Sequence, residues 1–260
     1  MSASDGSTMG KMRMTPVCAH VTLRSWMLPG IVGLVSACGY LPISRTSLAG
    51  TEPLAQAAKP VPANVPLGEC GPEGSQPDYA LNRQKNRVDT AAWLDTPWPV
   101  IARLPWPRKV GLRFRNQWTQ GEQQEVARFE GAPVRVEGYL QGFKLEGREP
   151  PNCYSDDPAM RDYHLWLVEE PRDARRHAIV VEITPRVRLL HPNWTEAQLA
   201  RLATTHDRIR VSGWLMLDQM HPERVGVNRT SLWEVHPILR IEVQRADQWI
   251  SLDSLVSLTH

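Results

Sequence analysis

From Val134 to Leu145 apolar and polar positions alternate, with Val134, Val136 and Leu140 set against Arg135, Glu137 and Gln141. A period of two is the signature of a half-buried strand. Gly138 and Gly142 punctuate it, as a bulged and strongly coiled strand requires. Tyr163 to Val168 and Ala178 to Ile183 are short apolar runs separated by a charged stretch around Arg172, Arg175 and Arg176. They predict two strands joined by a hairpin loop. Two more strands are predicted over 208–217 and 232–243, the second crossed by Pro237, which demands an edge or a bulge there. Residues 121–129 suit a short helix. After Trp194 a second one starts: Thr195 is placed to cap it, Gln198 takes the third helical position, and Trp194 can staple onto Leu199. That helix is expected to run to Thr204.

Three strands, one helix and two strands is the chain order of the OB-fold. The expected architecture is therefore mainly β, a five-stranded OB-fold-like barrel with one helix between strands three and four. A four-stranded sheet with a packed helix and an SH3-like barrel use similar elements and compete with it. The barrel domain is expected over 86–250, with a C-terminal tail at 251–260. Residues 38–85 carry Pro53, Pro60, Pro62, Pro66, Pro72 and Pro77 and little periodic hydrophobicity. Such composition reads as a tether, partly polyproline-like. Beyond it, Trp93, Trp98 and Trp106 lie among Arg103, Arg108 and Lys109. They suit either a nucleic-acid stacking strip or a nonregular arm packed outside a sheet.

The N-terminus adds an address. Arg24 precedes an apolar run of roughly a dozen residues, shorter than the about 20 needed to span a bilayer. Residues 1–37 read as a signal peptide, with Met9, Met12 and Met14 as alternative starts. Val35, Ser36, Ala37 and Cys38 resemble the lipobox of bacterial lipoproteins, which implies that Cys38 is acylated and becomes the mature N-terminus. Gly39, rather than Asp, after that cysteine implies sorting to the outer membrane, facing the periplasm. An ordinary secretory signal cut after Ala37 is the alternative.

This address changes how charge and cysteines are read. The chain of 260 residues has 30 Lys+Arg against 28 Asp+Glu. Because residues 1–37 hold Lys11, Arg13 and Arg24 against Asp5, the remainder is neutral, with no overall field to draw it onto nucleic acid. Of the 4 cysteines, Cys18 leaves with the signal and Cys38 takes lipid. Cys70 and Cys153 remain as a disulfide pair in an oxidising compartment, or as two separate thiols.

The strings Val181-Glu182-Ile183-Thr184-Pro185, Val211-Ser212-Gly213-Trp214 and, most distinctively, Trp233-Glu234-Val235-His236-Pro237 resemble a group of exported bacterial OB-like proteins. The resemblance covers roughly 86–243. It implies fold and export but no activity.

Chemistry must come from the residues. The chain has no Gly-x-Ser-x-Gly, no phosphate-cradling Gly-Lys-Ser/Thr loop, no His-Glu-x-x-His and no Cys-x-x-Cys. His164, Glu182, His221, Glu234 and His236 form a candidate metal set, since imidazole and carboxylate suit zinc and similar ions. The competing reading is a structural network of buried hydrogen bonds. OB-like barrels bind across strands two and three with the loops after strands one and four. Tyr154, Arg161, Trp166, Arg186 and Arg229 are the candidate binding face there, although the apolar residues on both faces of its strand favour the core for Trp166. The expected function is a non-catalytic, envelope-anchored module, held to the membrane by lipid, that binds an envelope protein or small ligand. A metal-dependent hydrolase and a nucleic-acid-binding OB-fold are the alternatives, and no cofactor other than the candidate metal is expected.

Overall fold

The computed structural model describes residues 50–111 and 113–255. The expected signal peptide, Cys38, residues 38–49 of the expected tether and residues 256–260 lie outside the described residues. In chain order the elements are α1 (Glu52–Ala55), α2 (Tyr79–Lys85), β1 (Leu94–Asp95), α3 (Trp98–Ala102), α4 (Gln120–Ala127), β2 (Pro133–Leu145), β3 (Tyr163–Val168) and β4 (Ile179–Ile183). Then come α5 (Pro185–Leu190), α6 (Glu196–Thr205), β5 (Arg208–Leu217), β6 (Trp233–Arg245), β7 (Gln248–Ser251) and α7 (Leu252–Leu255).

Strands β2, β3, β4, β6 and β5 pair in that order, and β5 pairs back onto β2, which closes a five-stranded barrel. The β4–β6 pairing is parallel and the other four are antiparallel. The protein is thus mainly β with an OB-like barrel, to which β1 and β7 are added as two further strands. Two helices, α5 and α6, stand in the chain where one is expected. Thr195 caps α6 through its hydroxyl, 3.3 Å from the Gln198 amide, and Trp194 and Leu199 are both buried.

The barrel coils where the glycines and Pro237 lie. The β2–β3 register shifts between Leu140 and Phe143, where Gly142 has a φ of 135° that side chains disfavour. The β5–β6 register slips on both sides of Gly213. A Cβ on Gly213 would come within 2.3 Å of the Pro237 carbonyl oxygen, so only glycine lets these strands approach.

Residues 50–85 do not stand away from the domain as a tether. Leu54 and Leu67 are buried, Cys70 is bonded to Cys153, and α2 lies against the 150–152 turn of the loop after β2 with Asn82 buried. Composition misleads here because few of the anchors are apolar. Arg186 instead grips the arm's backbone, donating to the carbonyls of Val65, Cys70 and Gly71 at 2.8–2.9 Å. The following Trp-rich stretch packs as a nonregular arm. Trp93 meets Trp214 edge-on at 5.5 Å, Arg87 lies 3.3 Å over the Trp214 ring, and Trp233 donates to the Pro105 carbonyl. At the other end, Leu252 and Leu255 of α7 enter the core, so the described part of the expected tail is packed. Among the described residues no helix is long and apolar enough to cross a membrane.

Candidate functional site

Register brings the polar strand residues together. Cross-strand pairing sets His164 of β3 opposite Glu182 of β4, and parallel pairing of β4 with β6 places Glu234 beside Val180. Glu146, one residue past the end of β2, completes the row, because Lys144 is the partner of His164. The His164 Nδ1 atom lies 2.8 Å from an oxygen of Glu146 and 2.8 Å from an oxygen of Glu182. The other Glu182 oxygen is 2.9 Å from His236 Nδ1. His236 is fully buried and also lies 3.3 Å from both Asp162 and Glu234, yet neither ring nitrogen has hydrogen-bond geometry to any of these carboxylates.

Beneath this row the charges alternate. Glu234 accepts from Arg229 at 3.0 Å and lies 3.4 Å from Lys85 of α2, while Arg229 also pairs with Asp218. Burial disfavours every one of these charges, so each persists only through its partners. Burial opposes the charge of His164, but hydrogen bonds with Glu146 and Glu182 prevail and lift its pKa to about 9. Burial would raise Glu234, but the Lys85 charge leads the partners that bring it down to about 2. In Glu149, burial and the nearby charges of Glu182 and Asp162 push the carboxyl well above the usual range.

The pH dependence has a definite sign. Glu234 is depressed from 4.5, so its contribution is complete above 4.5 and is lost as pH falls through about 2. His164 is raised from 6.5, so its contribution is complete below 6.5 and is lost as pH rises through about 9. Chelator-treated protein should therefore be most stable between about pH 4.5 and 6.5 and lose on the order of 3 kcal/mol through each group outside that window. Thermal melts across a pH series check this, and a stability maximum on the alkaline side of the His164 transition would contradict it.

A cavity of about 330 Å³ opens over the His164–Glu182 row. Its walls come from three sources: α2 and the turn before it (Leu81 and Lys85), the loop after β2 (Glu149 and Tyr154), and the loop after β5 (Asp218 to His221). Phe114, Tyr154 and Met220 are 39–46 % exposed around it. Gln219 is only 4 % exposed and lines the same cavity, and its side-chain amide has no partner among the described residues.

Of the expected binding-face residues, the cavity receives Tyr154 alone. Arg186 and Arg229 are buried; Arg186 donates to the arm, and the two terminal nitrogens of Arg229 donate to Asp218 and Glu234. Trp166 is buried in a small second cluster with Val168 and Ala178, under the Arg175 guanidinium. Arg161 donates to the Asp156 carbonyl in its own loop. Of the expected metal set, His164, Glu182, Glu234 and His236 come together. His221 lines the cavity but pairs loosely with Glu223 at 3.6 Å, apart from the cluster. Sequence reading missed Glu146, Glu149, Asp162, Lys85 and Gln219. Glu146 continues the Lys144 alternation by one step and was detectable in principle. Lys85 was not, because it comes from the arm. No protein-family model, no curated protein and no solved structure matches the chain, so its function is read from the geometry of this site.

Proposed function

We propose that the protein is a non-catalytic binding module of the bacterial cell envelope, anchored by lipid on Cys38, and that its ligand enters the cavity above His164 and Glu182. The lipobox-like Val35 to Cys38 and the basic flank before the apolar run support the anchor. The Cys70–Cys153 disulfide fits an oxidising compartment. One observation carries the binding reading: the cavity lies against β3 and β4 and between the loops after β2 and β5, where OB-like barrels bind, and it holds the unpartnered Gln219 amide. Half-exposed Phe114, Tyr154 and Met220 supply apolar contact at the mouth. The carboxylates of Glu146, Glu182 and Asp218 at the wall repel a phosphate backbone, which weighs against nucleic acid.

A photoreactive phenylalanine analogue placed at Met220 in the full chain, expressed in bacteria labelled with palmitate, tests both parts. A discrete adduct from position 220 is expected, weakened by Tyr154→Ala and absent from the same probe at Leu189, which is exposed on α5. Palmitate should enter the parent and be lost in Cys38→Ala. No adduct at 220, or equal adducts at both positions, removes the cavity reading. Unlabelled parent protein removes the anchor.

A further inference from the structure

We propose that Glu146, His164 and Glu182 are the protein ligands of a divalent metal site of the zinc class, open toward the cavity. The proposal rests on the cavity being the functional site and names what its floor holds. Three neighbouring segments each contribute one donor: the end of β2, β3 and β4. Their donor atoms all lie within 4.8 Å of one another. Bonds of about 2.0–2.2 Å to a tetrahedral zinc set its donors roughly 3.3–3.6 Å apart. The 2.8 Å contacts of His164 therefore open by about half an ångström or slightly more to admit the ion, a shift within the reach of side chains.

The set has outer partners that metal ligands need. Lys144 holds Glu146 at 2.8 Å, and the His236 ring stands 2.9 Å from the second oxygen of Glu182 as a charge partner, so each carboxylate has a cationic neighbour besides His164. One imidazole nitrogen, carrying at most one proton, faces two carboxylate oxygens, so a cation with several coordination positions fits the convergence better than one N–H does. Two observations independent of the cluster point the same way. The cavity is lined by all three residues, leaving an open coordination position on that side, and the Gln219 side chain in its wall, 4 % exposed, makes no hydrogen bond among the described residues. One imidazole with two carboxylates is a nitrogen and oxygen donor set that suits zinc and manganese more than copper(I).

Chelator-treated, disulfide-intact protein titrated with zinc chloride in a calorimeter, with bound metal counted by mass spectrometry, tests the site. About one equivalent should bind, with affinity reduced roughly tenfold or more by Glu146→Gln and by His164→Asn. Glu146→Gln is the informative variant, because Gln keeps the shape of Glu146 at the cavity edge; the chelated variant should lose part of the stabilisation that runs through His164 yet still unfold in one cooperative transition. His221→Ala, at the mouth, should leave zinc affinity unchanged. Absence of saturable zinc binding, or binding indifferent to both ligand variants, overturns the proposal. If zinc fails while the adduct at position 220 persists, the metal site falls and the cavity reading stands. Loss of both removes both.

Discussion

Replacing Cys70 and Cys153 together by serine should cost the fold about 4–5 kcal/mol, the largest effect expected of any change outside the barrel core. The bond closes a separation of 83 residues, and in the chain-entropy model a loop of that length restricts the unfolded chain by about that amount. The figure applies here because the arm is packed. Arg186 already ties Val65, Cys70 and Gly71 to the barrel, and Asn86 donates to the Pro151 carbonyl at 2.8 Å beside the bond. A freely hanging tether would gain little from being pinned. Denaturant unfolding of the double variant beside the parent measures the loss, and hydrogen exchange should quicken first in residues 64–86. A loss under about 1 kcal/mol would mean that the arm is held without the disulfide.

The second large effect belongs to Arg229. Arg229→Met should destabilise by about 3–5 kcal/mol, because it leaves two carboxylates without their shared partner in a dry interior. Asp218 and Glu234 both pair with this guanidinium, which is 2 % exposed. Lys85 stays 3.4 Å from Glu234 and limits the loss but does not reach Asp218 by any direct pairing. Adding Asp218→Asn and Glu234→Gln to Arg229→Met should recover much of the loss, since the penalty comes from unpaired charge rather than from lost volume. Chemical unfolding of the single and triple variants decides it. A triple variant no more stable than the single one would show that Arg229 acts through packing.

What could be read ahead of the structure follows from how each part is stabilised. β2 buries one face more than the other and so shows its period of two, whereas β3 and β4 are buried throughout and read as short apolar runs, and Gly142 and Pro237 lie where the register slips. The arm gave no such signal. Arg186 holds it by main-chain carbonyls, which every residue possesses, so its Pro-rich composition resembles that of an extended linker. Arg186 and Arg229 were expected at the surface as residue types that anchor partners, while Trp166 was weighed between that face and the core. Inside, the two arginines find enough acceptors to be buried, and Trp166 lies under Arg175. The site was half legible for the same reason. His164, Glu182, Glu234 and His236 sit in strands whose pairing could be inferred. Lys85 and Gln219 arrive from the arm and a loop, and only the folded chain shows where these go.

Amide chemical-shift mapping of the protein against a library of small charged and aromatic fragments tests most directly that the cavity is the binding site. The account predicts that fragments which bind shift the amides of Leu81, Tyr154, Gln219 and Met220 most, the residues that line three walls of the cavity. Fragments that gather instead around α5 and α6, or a library that leaves those four amides unmoved, would contradict it.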